Sequence, residues 1–201
     1  VGGDSSRVTP AKDSAIVLPA NLVGTYFHKL MECVTVRLTE PPSAELFESV
    51  AFELGVMVSH PDKRALLISE GKNLMDLFFA SKLHTKMVMA KALYEEFPYL
   101  LLGSEGVVLS KRPDLILQDE DERWYIIDFK TDDFPRDAMQ SHINRHRRQL
   151  MSYVRDMEKL TGIKYTPAVY FARHGEFSIL VEGEADSPER PEYKQLNLFS
   201  K

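Results

Sequence analysis

A single cysteine, Cys33, stands in the whole chain, so no internal disulfide and no four-cysteine zinc or iron–sulfur site can be built from it. No apolar run approaches the roughly 20 residues that span a bilayer. No GxxxxGK[ST] loop is present, so an ATP-driven motor is not expected in this stretch of chain. Positive charge is short as well: 25 Lys and Arg stand against 30 Asp and Glu, for a formal net charge of −5. That balance excludes a generic polyanion binder, and any nucleic-acid contact must come from a local basic cluster. There is no internal repeat. A soluble, cytoplasmic, membrane-free protein is the expectation.

What is present suits one globular domain: 201 residues, 44% of them hydrophobic, can bury a core of their own. The opening "VGGDSSRVTPAKDS" reads as a polar linker covering 1–20, followed by a folded domain over 21–182. Residues 183–201, rich in Glu, Pro and Ser, read as a flexible tail. The linker-like start suggests a piece cut from a larger protein.

Apolar residues at Val23, Tyr26, Phe27, Leu30, Met31 and Val34 have helical spacing and predict a first helix from Asn21, as N-cap, to about Leu38. Leu46, Val50 and Leu54 mark a second helix capped by Ser43 and closed by Pro61, and residues 62–91 read as one or two more, with a break near Gly71. Three strand-like runs follow, "MAKALYEEFPYLLLG", "GVVLSKRPDLILQ" and "RWYIIDF", which predict an antiparallel meander. A long helix over about 137–160 and two strands turning at His174-Gly175 complete an α/β layout.

The informative stretch is "RWYIIDFKTDDF", Arg123 to Phe134, where an apolar strand ends in Asp-x-Lys. Desolvating unpaired charge is costly, so Asp128 and Lys130 need partners at that end. Asp114, in "RPDLIL", lies fourteen positions earlier, and a hairpin brings it beside Asp128. Two adjacent carboxylates call for a cation, and hard oxygen donors suit Mg²⁺ or Mn²⁺. Period two places Lys130 on the same face as Asp128, with Phe129 turned to the core and its carbonyl a further candidate ligand. A solvated strand edge carrying a surface ion pair would show the same short pattern.

The wider pattern separates the two readings. "PD" at Pro113-Asp114 followed by "DFK" at 128–130 resembles the PD-(D/E)xK nuclease superfamily, and three further features resemble its RecB-type family. "GTYFHKLME" has that family's glycine four before a metal-binding histidine, here Gly24 and His28. "QLMSY" has its Gln-x-x-x-Tyr, here Gln149 and Tyr153, and "DFKTD" its usual strand end with Asp132. The resemblance runs from about Gly24 to Ile179. It implies a restriction-endonuclease-like α/β core, a mixed central sheet flanked by helices with an N-terminal helical segment. One departure is that Lys111 stands where the family usually has glycine; Pro113 is also unusual, being tolerated only at an edge or bulge.

The resemblance further implies a Mg²⁺-dependent DNA exonuclease, with Mn²⁺ as a substitute. His28, Asp114, Asp128 and the Phe129 carbonyl would be ligands, with Asp114, Asp128 and Lys130 catalytic and 5′-phosphate ends as products. Domains of this kind usually end helicase–nucleases that process broken DNA for recombination and repair, which implies a helicase region in the same or a partner chain and a nucleoid-associated location in a bacterium. The partner would be single-stranded DNA or DNA ends. Gln149 and Tyr153 would contact the strand, and Arg145, Arg147 and Arg148 in "HINRHRRQ", helped by Lys111 and Arg112, form the best local phosphate-binding surface. A catalytically silent nuclease fold that binds DNA or docks partners is the second class of function, and a free-standing nuclease for RNA a third. Near the end, Gln195, Leu196, Leu198 and Phe199 in "KQLNLFSK" resemble the short peptide that binds bacterial sliding clamps, or else pack back on the domain.

Overall fold

A computed structural model describes residues 17–34, 39–55, 61–103 and 108–180, with the backbone of Tyr193–Lys194. Helix α1 (Ala20–Val34) buries the six apolar residues that its spacing singles out. Asn21 lies inside it rather than capping it: the first helical bonds run from Leu22 and Val23 to the Pro19 carbonyl. Helix α2 (Ala44–Glu53) is capped by Ser43, whose hydroxyl accepts from the Leu46 N–H at 3.3 Å. Helices α3 (Pro61–Phe79) and α4 (Lys82–Val88) follow, Pro61 opening α3 where its missing N–H costs nothing.

The expected break at Gly71 does not occur. Gly71 sits in the middle of α3, where a Cβ would drive into the ring of Tyr26 on α1. Tyr26 is fully buried and donates its hydroxyl to the Phe47 carbonyl at 2.8 Å, so the ring cannot retreat. The glycine is there for helix–helix contact, not to end a helix. Gly71→Ala is accordingly expected to destabilise the fold by about 1–3 kcal/mol despite alanine's better helix propensity, read as a lower urea midpoint with an unchanged slope; a rise in midpoint would refute the contact.

The first two strand-like runs are each cut in two, giving β1 (Ala92–Glu95), β2 (Tyr99–Gly103), β3 (Val108–Lys111) and β4 (Leu115–Gln118) ahead of β5 (Trp124–Lys130). The cuts fall where Glu96 takes φ 45° just before Phe97-Pro98, and at Arg112-Pro113. Proline lacks the N–H that a ladder needs, so the chain changes sheet at both. The expected meander is therefore replaced by a five-stranded sheet, ordered β1-β4-β5-β6-β7, and a smaller one, β3-β2-β8. Here β6 is Tyr165–Phe171, β7 is Glu176–Ile179 and β8 is Tyr193–Lys194. β5 and β6 are parallel, joined by the long crossover helix α5 (Met139–Thr161), which ends at Gly162 with φ 74°. The other pairs of the main sheet are antiparallel.

Two apolar layers result. Helices α1 to α4 pack on the face presenting Leu115, Leu117, Tyr125, Ile127, Phe129 and Tyr170. Helix α5 packs on the other, against Ile116, Ile126, Val169 and Phe171. The architecture is the mixed sheet between helices expected from the motifs. Among the described residues no helix is long and apolar enough to cross a membrane.

Candidate active site

Strand register brings the two aspartates together. Leu115 is paired with Ile127, so one antiparallel step further sets Asp114 opposite Asp128. Asp114 Oδ2 accepts from the Phe129 N–H at 2.6 Å, which locks its side chain across the hairpin. Asp128 is only 2% exposed, and Lys130, two residues on, brings its Nζ to 2.6 Å from Asp128 Oδ2. Phe129, between them, is buried in the opposite layer, its ring at 6.0 Å from that of Phe27.

His28 reaches the same place from α1. Its Nδ1 lies 3.6 Å from Asp114 Oδ1 and 3.7 Å from Glu96 Oε1. The approach depends on Gly24, one turn earlier, where a Cβ would stand 3.3 Å from Thr131 Oγ1 at the end of β5. A larger residue would hold α1 off the strand and withdraw His28. Among the described residues, His28, Glu96 and Asp114 form the one group of three able to offer a metal ligand atom each, all within 4.8 Å of one another. They line a cleft of about 810 Å³ with Lys130, Asp132 and Arg145.

Glu96 is a site residue that the sequence hardly marks. Its signal is faint: an acidic pair, Glu95-Glu96, at the end of a run whose pairing with β4 does not follow from the local pattern. The backbone explains its position, for Glu96 turns through φ 45° and donates its N–H to the Asp114 carbonyl at 2.9 Å. Arg112 is tied to Glu96 Oε2 at 2.5 Å, and Lys111 to Asp156 Oδ2 at 2.5 Å and Ser152 Oγ at 2.7 Å, so both basic residues brace the site.

The electrostatics fit a divalent cation. Burial, then the neighbouring Asp128, push Asp114 up to about 8. Burial, with Glu32 and Glu96 nearby, pushes Glu95 up to about 8 as well, and its Oε1 is buried without a hydrogen-bond partner. Burial alone would lower Lys130, but Asp128 foremost, then Asp114 and Asp132, outweigh it and hold the ammonium above its ordinary value. One lysine does not neutralise this carboxylate group. An imidazole nitrogen with carboxylate oxygens is a donor set that suits a hard or borderline divalent ion.

Helix α5 supplies a second, adjoining groove of about 470 Å³ lined by Lys111, Arg145, Arg148, Gln149, Ser152 and Tyr153. Arg145, Arg148, Gln149 and Ser152 recur at helical spacing on one face, and Gln149 donates to the Tyr153 hydroxyl at 3.1 Å. Arg145 lines both cavities and so joins them. Arg147, two positions on, is turned by helical geometry away from this groove and is half-buried. Asp132, past the end of β5, lies 2.8 Å from His146 Nε2 and 3.5 Å from His142 Nδ1. Arg173, another residue without a sequence signal, donates to the Thr131 carbonyl at 2.9 Å and pairs with Glu70. The segment after Lys130 is thus fastened from both sides of the sheet. Gln195, Leu196, Leu198 and Phe199 lie outside the described residues.

A family model of the PD-(D/E)XK nuclease superfamily matches residues 7–190, and the chain belongs to that superfamily. Within it, the chain is similar to an ATP-dependent helicase/nuclease subunit of Carboxydothermus hydrogenoformans, 28% identical over 116 residues. The match covers 49% of this chain and 10% of that much longer protein. This relative agrees with the RecB-type pattern of the motifs.

Proposed function

We propose that this domain is a divalent-metal-dependent deoxyribonuclease that hydrolyses phosphodiester bonds at DNA ends, within a helicase–nuclease of recombination and repair. The observation that carries the reading is the convergence of His28, Glu96 and Asp114 within 4.8 Å, beside the Asp128–Lys130 pair. His28, Glu96, Asp114 and Asp128, with the Phe129 carbonyl, would hold Mg²⁺ or Mn²⁺. When bound, such an ion supplies Lewis acidity at the scissile phosphate and makes water a stronger nucleophile.

The chain's own groups do the rest. Asp114 is oriented by the Phe129 N–H, so its free oxygen faces His28. The Lys130 ammonium, anchored by Asp128, directs its remaining donors to a water and to the phosphate oxygen that gains charge. Water then attacks in line and the 3′ oxygen leaves, giving a 5′-phosphate with no covalent intermediate. Arg145 and Arg148 take neighbouring phosphates, and Gln149 and Tyr153 the strand between them. A cytoplasmic, nucleoid-associated site of action and clamp binding through Gln195, Leu196, Leu198 and Phe199 belong to the same proposal, the latter on sequence alone.

The test is cleavage of end-labelled single- and double-stranded DNA with Mg²⁺, with Mn²⁺ and with EDTA, using Asp128→Ala as control. Degradation that needs both the metal and Asp128 is expected, with the product ladder reporting polarity. A wild-type chain that binds DNA yet leaves it intact with either metal would instead make the domain a silent binding module.

A further inference from the structure

We propose that Tyr94 and Phe97 form a stacking platform for unpaired bases of the strand whose phosphate sits at the His28–Glu96–Asp114 cluster; this rests on the nuclease reading above. Both rings are displayed rather than packed: Tyr94 is 47% exposed and Phe97 37%. They touch each other edge to face, with centroids 6.0 Å apart and planes at 70°. Tyr94 is held by Trp124, which lies nearly parallel to it at 6.3 Å and 15°, and Trp124 in turn meets Tyr165 at 6.0 Å. The row ends on Tyr165, which is buried beneath α5, so the exposed pair stands on a rigid support.

Position decides what such rings are for. Phe97 directly follows Glu96, so its Cα is about 3.8 Å from that of a cluster residue, and Tyr94 lies two positions before Glu96, about 7 Å away at strand rise. A phosphate held at the cluster therefore brings its adjoining nucleotides to these rings. The corner is stiff: Pro98 follows Phe97, and the Glu96 N–H is bound to the Asp114 carbonyl. Arg112, anchored by Glu96 Oε2, adds a guanidinium beside the same turn.

Exposed aromatic rings cost hydrophobic burial that a soluble domain otherwise recovers, and every base has a face that can recover it without regard to sequence. A protein partner seated on Phe97 would cover the cleft beside Glu96, where the strand must enter. The aliphatic Leu100 and Val108, exposed on β2 and β3, are the better protein-facing surface.

The test uses the full chain in a Lys130→Ala background with Mg²⁺, so that bound strands survive. Two labelled oligonucleotides of equal length are titrated, one of thymidines and one abasic, which carry the same phosphates but differ in bases. Trp124 is the only tryptophan, so its fluorescence reports directly on the row that supports Tyr94. We expect the thymidine strand to bind about 5–100-fold tighter than the abasic one and to quench Trp124. In Tyr94→Ala with Phe97→Ala that ratio falls to near one while abasic affinity holds, and Tyr94→Phe restores it. Equal affinity for both strands, or a ratio that the double variant leaves unchanged, overturns the platform even if the wild-type chain cleaves DNA. A wild-type chain that neither cleaves nor binds either strand removes the nuclease reading together with it.

Discussion

Lys130→Ala is expected to slow metal-dependent DNA cleavage by about 10²–10³-fold, the usual cost of removing one donor aimed at developing charge, and to do so even at saturating metal. Its ammonium is held charged by Asp128, 2.6 Å away, against the lowering effect of burial. It therefore acts as a donor and an electrostatic stabiliser, not as a base. The ligands His28, Glu96 and Asp114 remain, so divalent ions still bind and still raise the melting midpoint. The loss lies in the rate of the chemical step, measured in single-turnover cleavage across a range of Mn²⁺ concentrations. A variant that recovers wild-type rate simply on adding more metal would place Lys130 in metal binding and remove it from the chemistry. Because Asp128 is 2% exposed, removing its cation also costs stability, up to about 3–5 kcal/mol for a broken buried pair. Melts must accompany the rates.

Asp114→Asn is expected to abolish cleavage and yet make the metal-free protein more stable. In the metal-free fold, burial and Asp128 raise the Asp114 pKa from its ordinary 3.8 to about 8. Between those values the folded chain holds a proton that the unfolded chain has released, so unfolding loses a proton and stability falls as pH rises. The penalty is absent below about pH 4 and complete above about pH 8. The amide cannot ionise and can still accept from the Phe129 N–H. At pH 8 in EDTA the variant should gain about 1–3 kcal/mol, or roughly 2–10 °C in Tm for a domain of this size. Divalent ions stabilise the wild-type chain by mass action and should leave the variant almost unmoved. Melts at pH 6 and pH 8, with EDTA and with MnCl₂, read all of this. A wild-type midpoint that rises from pH 6 to pH 8 in EDTA would contradict the buried, repelling carboxylates.

Cleavage lost through Lys130 and cleavage lost through Asp114 thus differ in their thermal signatures. The first leaves metal-induced stabilisation intact; the second removes it while raising the metal-free midpoint. Stability is given up at the site because paired carboxylates are useful only when a cation joins them, which is the trade expected of functional positions.

How much of this is legible without the fold depends on whether a feature is local. The helical stripe from Val23 to Val34, the Ser43 cap and the alternation that sets Asp128 and Lys130 on one face of β5 follow from nearest-neighbour geometry, and each stands in the structure. The spacing of Gly24 from His28 signals a close approach, which its 3.3 Å separation from Thr131 Oγ1 explains. Gly71 misleads because a mid-helix glycine looks the same whether it ends a helix or admits a neighbour's ring. Pro98 and Pro113 are visible, but which sheet each half-run joins is not, since that depends on partners far away in the chain.

The sequence by itself determined the chemical inventory: acids, a lysine and a histidine at spacings that suit metal-assisted hydrolysis, with one cysteine and no motor loop. It also determined the α/β class, because hydrophobic period is a property of each segment alone. Only the tertiary structure decided which of thirty acidic residues meet. Pairing β1 with β4 carries Glu96 to Asp114, the turn of α5 admits Arg145 and Arg148 to the groove and leaves Arg147 outside it, and the burial that drives Asp114 to about 8 exists only once two layers of helices close on the sheet. Ligand sets and pKa shifts arise from distance and desolvation, and both are set by packing between segments that have no local information about each other.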